Sequence, residues 1–269
     1  MVALHGWQDN EGSFDALGQA LGRQGPERWE LHALDLPGHG ASDHLPPSQF
    51  YNLWDYVTLV QAYLDHLDTP VWLCGHSLGG MVATLLASLN HDHVHGLISL
   101  DMLGMAIDKP EDQAERLIST LQAQHQTQPH SRLSPTFAHA VARRQRSGSP
   151  QTADANAALV RRGAVEQNGQ WQFRLDPKVR LGSVFRFTEA QVIQLCGGIQ
   201  CPWDVILGED GLYAKTVVER IQTMLPQMRI QWWLGGHHFH MESAPEALWQ
   251  RMSDCILSAG HRQSRYGYS

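Results

Sequence analysis

A short apolar run, Val71-Trp72-Leu73-Cys74, leads directly into Gly75-His76-Ser77-Leu78-Gly79, and Gly80 follows. After the glycines, apolar residues recur at Leu78, Met81, Val82, Leu85, Leu86 and Leu89. That spacing is the stripe of an amphipathic helix, whereas the run before it reads as a buried strand. A serine in G-x-S-x-G between a strand and a helix marks a turn so tight that flanking side chains would collide, hence the glycines. Such a turn lifts the serine oxygen clear of the sheet. It also leaves the next backbone N–H at a helix start, free to bind an oxyanion. Ser77 is therefore the expected nucleophile, and the fold must supply a parallel sheet that ends at this turn.

Strand-like and helix-like segments alternate on both sides of the motif, as in a mostly parallel, doubly wound α/β sheet. Strands are expected at Val2–His5, Trp29–Leu34, Val71–Cys74 and Gly96–Leu100. Phe14, Leu17 and Leu21 mark one helix face, and Leu53, Tyr56, Val60 and Leu64 another. From 105 to 199 the chain turns polar, rich in Gln, Arg and Ser, with helix-like stretches and no convincing strands. Alternation resumes with strands at Trp203–Leu207 and Met228–Leu234 around a helix at Lys215–Leu225. Ser243 as N-cap, Pro245 in the first turn and Glu246 three after the cap open a last helix. The division expected is a core of 1–104 and 200–262, a helical lid at 105–199 inserted between two late strands, and a loose tail at 263–269. Beginning at Val2–His5, the sheet would lack N-terminal strands and leave this first strand at an unpaired edge.

A serine hydroxyl is a weak nucleophile until a base takes its proton, and a carboxylate orients that base. In a doubly wound hydrolase the partners lie on loops after later strands, in the order Ser, acid, His. Leu207-Gly208-Glu209-Asp210-Gly211 closes one late strand, and Leu234-Gly235-Gly236-His237 closes the next. His237 is the expected base, since the Gly-Gly step permits a sharp exit; its neighbours His238 and His240 would point elsewhere. Asp210 is the expected acid, with Asp101, at the end of Gly96–Leu100, as the alternative and Glu209 a further competitor. The second oxyanion donor is expected at the N–H of Trp7, in His5-Gly6-Trp7, beside that of Leu78.

Charge and composition narrow the class. A net charge of −7 and no Lys/Arg run longer than a pair disfavour nucleic acid as a partner. No apolar run reaches the roughly 20 residues of a membrane span. The start lacks the basic region and long apolar core of a secretory signal. Cys74, Cys196, Cys201 and Cys255 lack Cys-x-x-Cys spacing, as expected of reduced thiols in the cytoplasm. His91-Asp92-His93-Val94-His95 reads as a connecting loop, and His125, His130 and His139 as surface residues. No metal site is expected from the histidines, and no cofactor is implied.

HGWQDN at 5–10, LDLPGHGAS at 34–42, GHSLGG at 75–80, the strand pair bearing Asp210 and His237, and MESAP at 241–245 together resemble the α/β-hydrolase superfamily. Within it, LVRRG at 159–163, WQFRLDPKVR at 171–180 and the EDG turn at 209–211 are similar to the serine hydrolase-like proteins. The resemblance implies a serine hydrolase that cleaves an ester or related acyl bond of a small molecule through an acyl-enzyme on Ser77. Carbon–carbon bond hydrolysis and acyl transfer use the same groups. A catalytically silent ligand-binding protein is the alternative from another class. In many relatives the acid stands three residues after a strand-ending glycine, a position held here by Gly211, which keeps Asp101 in contention. Relatives also carry two to three strands ahead of the His-Gly motif, which this chain reaches at His5.

Overall fold

A strand buried on both faces places alternate residues against different layers, and the strands of this protein do so with regularity. Leu4, Leu73, Leu97 and Val205 enter one apolar core. Their neighbours Ala3, Cys74, Ile98 and Ile206 enter another on the opposite face. The computed structural model describes residues 1–23, 29–89, 92–126, 133–147 and 152–263.

In chain order the elements begin with β1 (Val2–Leu4), a short 3-10 turn, α1 (Asp15–Arg23), β2 (His32–Leu34) and α2 (Leu53–Leu64). Then come β3 (Val71–His76), α3 (Leu78–Leu89) and β4 (Val94–Leu100). Three helices follow, α4 (Gln113–Gln126), α5 (Phe137–Arg146) and α6 (Ala153–Gly163), then β5 (Ala164–Gln167), β6 (Gln170–Phe173) and α7 (Glu189–Gly197). The chain closes with β7 (Trp203–Asp210), α8 (Lys215–Met224), β8 (Met228–Gly236), the short α9 (Phe239–Glu242) and α10 (Pro245–Gln263). Among the described residues no helix is long and apolar enough to cross a membrane.

Six strands form one sheet in the order β2-β1-β3-β4-β7-β8, every neighbouring pair parallel. Helices α2, α3, α7 and α8 cover one face and α1, α9 and α10 the other. This is the doubly wound arrangement expected from the alternation. The segment from 105 to 199 leaves after β4 and returns to β7, and these two strands are neighbours in the sheet.

Three expectations need correction. The first strand is not an unpaired edge: β1 lies between β2 and β3 and pairs with both, so the edge position belongs to β2. The inserted segment is not wholly helical, because β5 and β6 form an antiparallel hairpin. Its turn, Asn168-Gly169, has both residues at positive φ, 51° and 74°, as a two-residue hairpin turn matching strand twist requires. Ser243 does not cap the last helix. Its hydroxyl donates to the Leu234 and Phe239 carbonyls, while Ala244, at φ 43°, stands at the boundary and accepts from Leu248 N–H.

The four cysteines are unpaired thiols. The expected histidine loop begins in part outside the described residues, and β4 already starts at Val94. His139 is exposed, whereas His130 and the tail from 264 lie outside the described residues.

Candidate active site

The tight turn forms as the glycines demand. Ser77 sits between β3 and α3 at φ 49°, a left-handed conformation that side chains rarely adopt. A Cβ on Gly75 would stand 2.3 Å from the Gly79 carbonyl oxygen, and one on Gly79 would stand 2.0 Å from that of Leu4. The Gly79 N–H donates to the His5 carbonyl at 3.0 Å, which draws the loop after β1 against the start of α3. Trp7 and Leu78 thereby line one cavity with Ser77. Leu78 holds the first position of α3, where a backbone N–H precedes the helix's internal ladder.

The loop after β1 is braced from beneath. The buried His5 ring donates from Nδ1 to the Gly6 carbonyl and accepts the Leu36 N–H at Nε2, 2.9 Å. A Cβ on Gly6 would meet His76 Nδ1 at 2.7 Å and the Asp9 carboxylate at 2.9 Å, so this close approach requires glycine. The Trp7 ring is 46% exposed, and its Nε1–H donates to the Val179 carbonyl of the inserted segment at 2.8 Å.

His237 follows β8 and its Nδ1 lies 2.6 Å from Asp101 Oδ2. Asp101 is fully buried and adopts φ 47° just after β4. Its two oxygens also accept the N–H groups of Gly208 and Leu212, each at 3.0 Å. With Nδ1 engaged, Nε2 is the ring nitrogen left to face a reacting group. The His76 ring, one residue before the serine, has its centroid 4.5 Å from that of His237 and donates from Nε2 to the His237 carbonyl at 2.9 Å.

The expected acid is thus corrected: the carboxylate that meets His237 belongs to Asp101, not Asp210. Strand β7 runs on through Asp210, which pairs with Gly236 across a register shift. Asp210 and Glu209 are consequently exposed at a strand end, while the turn beyond them delivers the Leu212 N–H to Asp101.

A second layer escaped sequence reasoning. Asp9, 2% exposed, accepts from His238 Nε2 at 3.1 Å and is ion-paired to Arg144 of α5. Burial works against its ionisation, but the His238 hydrogen bond and the His238 and Arg144 charges outweigh burial and hold the carboxyl below the usual carboxylate range. His76 and His240 are buried with ring centroids 4.2 Å apart, and burial pushes both imidazoles well below their ordinary pKa. The only sequence hint was the Asp9-Asn10 pair inside the first motif. His76, His237 and His238 bring possible metal-donor atoms within 4.8 Å of one another. Each ring has one nitrogen in a hydrogen bond, His76 to the His237 carbonyl, His237 to Asp101 and His238 to Asp9.

The cavity holding Ser77 measures about 320 Å³ and is walled by apolar side chains, Leu53, Met81, Phe185 and Phe187 among them. Two larger concavities, each about 1080 Å³, hold neither Ser77 nor His237.

Known proteins resemble this chain in sequence and in shape. A serine hydrolase-like protein of Danio rerio is 26% identical over 268 residues, which are 95% of this chain and 81% of the relative. A pimeloyl-[acyl-carrier protein] methyl ester esterase of Chromobacterium violaceum is 28% identical over 211 residues, 77% of this chain and 74% of that protein. The crystal structure of a hypothetical protein from Pseudomonas aeruginosa PAO1 superimposes with a TM-score of 0.83 at 28% identity, covering 96% of this chain and 89% of that one. The family model described as "Alpha/beta hydrolase family" matches residues 1–251. With the parallel sheet, the strained serine turn and a match that spans nearly the whole chain, this protein belongs to the alpha/beta hydrolase family.

Proposed function

We propose that the protein is a serine hydrolase that cleaves an ester or related acyl bond, with Ser77, His237 and Asp101 as nucleophile, base and acid. The observation that carries this reading is the 2.6 Å contact between His237 Nδ1 and the buried Asp101 carboxylate. It fixes the proton on Nδ1 and turns Nε2 into the acceptor. His237 Nε2 takes the Ser77 hydroxyl proton as the oxygen attacks the substrate carbonyl, and Asp101 stabilises the imidazolium that results. The N–H groups of Trp7 and Leu78 receive the oxyanion. Collapse expels the alcohol, which takes its proton from His237, and leaves an acyl group on Ser77. Water, deprotonated by the same imidazole, then releases the acid. The names of the Danio and Chromobacterium relatives support hydrolysis of this kind.

The segment at 105–199 is read as a lid. In support, Ala106 and residues 180–183 and 185–187 wall the Ser77 cavity.

A fluorophosphonate probe tests the reading. Wild-type protein is expected to label, and the Ser77→Ala variant is expected to remain folded without labelling. Turnover of acyl esters in that variant should fall by about 10³-fold or more. Near wild-type ester turnover after Ser77→Ala would overturn the proposal, and a folded wild type that neither labels nor hydrolyses any ester would favour a silent binding protein.

A further inference from the structure

The charge of this chain is unevenly spread. Twelve of its 20 Lys and Arg residues, but only eight of its 27 Asp and Glu residues, fall between 105 and 199. That segment carries a net charge of +4 while the rest carries −11. Several of the insertion's cations have partners: Arg116 pairs with Asp108, Arg144 with Asp9, Arg162 with Asp35 and Glu11, and Lys178 with Asp176 and nearby carbonyls. Arg180 and Arg186 differ. Both line the cavity that holds Ser77, and neither has an ionic or side-chain hydrogen-bond partner among the described residues.

Their surroundings do not neutralise them. The acid whose charge acts on Arg186 is Asp108, and that carboxylate is engaged by Arg116 at 2.6 Å. Burial and then the Arg116 charge lower the Arg186 pKa, with Asp108 opposing. Arg180 also lines a neighbouring cavity of about 270 Å³ with Arg143 and Arg144, so it stands where the two spaces meet. A guanidinium at the rim of an otherwise apolar pocket is well suited to a carboxylate or phosphate, which it can bind through two parallel hydrogen bonds.

We propose that the substrate taken at Ser77 carries an anionic group, a carboxylate or a phosphate, received by Arg180 and Arg186 at the rim of the cavity. This rests on the hydrolase reading and deepens it from an acyl ester to an acyl ester bearing a negative charge. The apolar walls bind the carbon chain, and the two arginines fix its charged end.

The test uses matched ligands that differ in charge. Ser77→Ala protein, which leaves esters intact, is titrated calorimetrically at low salt with dimethyl suberate, monomethyl suberate and octyl phosphate. The charged ligands are expected to bind about ten-fold more tightly than the neutral diester, or better, as charge-assisted hydrogen bonds allow, and added salt should compress the difference. Whichever anion binds better identifies carboxylate or phosphate as the recognised group. Adding Arg180→Gln and Arg186→Gln should bring the ratio close to one, with Arg180→Gln alone, at an exposed residue, giving part of that loss. Arg161→Gln, on α6, should keep the full preference. Fluorophosphonate labelling of the wild type reports separately on the hydrolase. Absent labelling with intact anion preference would sink the hydrolase reading and support the cationic rim. Equal binding of charged and neutral ligands, or a preference that survives loss of both arginines, would overturn the inference.

Discussion

The Asp101 carboxylate occupies the space that a side chain at Gly211 would fill: a Cβ built at 211 falls 2.3 Å from Asp101 Oδ1. The two positions lie at the ends of neighbouring strands, and both can deliver a carboxylate to one imidazole only if the other makes room. Here β4 supplies the group, and β7 supplies backbone donors for it.

Asp101→Asn is therefore expected to lower ester turnover by about 10⁴-fold through loss of the imidazole's orientation and charge stabilisation. Asp210→Asn, at an exposed strand end, should change turnover by less than about three-fold. The reverse ranking in steady-state assays would return the acid to β7.

Gly211→Asp alone should destabilise the fold, because two carboxylates would compete for one space. Paired with Asp101→Gly, it should recover part of the turnover that Asp101→Gly removes. Glycine suits the φ of 47° at 101, and the new acid would approach His237 from β7. No recovery in the pair would show that the site of Asp101 is not interchangeable with 211.

Ser77 holds a left-handed backbone that costs a side-chain-bearing residue about 1–2 kcal/mol. Both Ser77→Ala and Ser77→Gly remove the nucleophile, but only glycine relieves the backbone. Ser77→Gly should unfold at a higher temperature than Ser77→Ala, and equal melting temperatures would argue against strain at this turn.

The buried Asp9–Arg144 pair joins the loop bearing Trp7 to the inserted segment. Asp9→Asn leaves the guanidinium without its counter-ion and should cost about 3–5 kcal/mol. Because Asp9 also holds His238, turnover should fall together with stability. A denaturant midpoint unchanged by Asp9→Asn would contradict this account.

His76 and His240 have folded-state pKa values well below the 6.5 of an unperturbed histidine. Below about pH 6.5 the unfolded chain binds protons that the native rings refuse, so stability rises with pH there and is lost on acidification. Each group contributes a slope of up to about 1.4 kcal/mol per pH unit. Asp9, depressed in the native state, adds its own loss only below about pH 4. Melting temperature should fall between pH 7 and pH 5, and His240→Phe should flatten that fall. An identical profile in the variant would remove His240 from the explanation.

Much of this was legible before the structure. Leu53, Tyr56, Val60 and Leu64 announced α2 by their period, and all four are buried. The tight turn at Ser77 and the placing of His237 after the late strand were legible because glycine spacing reports directly on the local backbone. The carboxylate that meets His237 was not, since the choice between Asp101 and Asp210 turns on how far β7 extends and on a space between two strand ends more than 100 residues apart. Gly211 held the clue, since a side chain there would enter the space of the Asp101 carboxylate. The hairpin of β5 and β6 was missed for another reason. Asn168-Gly169 is a strong turn signal and Gln170-Trp171-Gln172-Phe173 alternates beside it, but each strand has only four residues and Glu166-Gln167 ahead of the turn is wholly polar.

The wall of the Ser77 cavity has two authors. Ser77, Asp101 and His237 stand just beyond strands whose pairing fixes their positions, while Arg180, Arg186 and Phe187 come from the excursion between β4 and β7. Substitutions in that excursion can reshape what is admitted without disturbing a bond to Asp101 or His237. Appetite and reactivity in this protein are thus inherited through different stretches of chain, and one can drift while the other stays still.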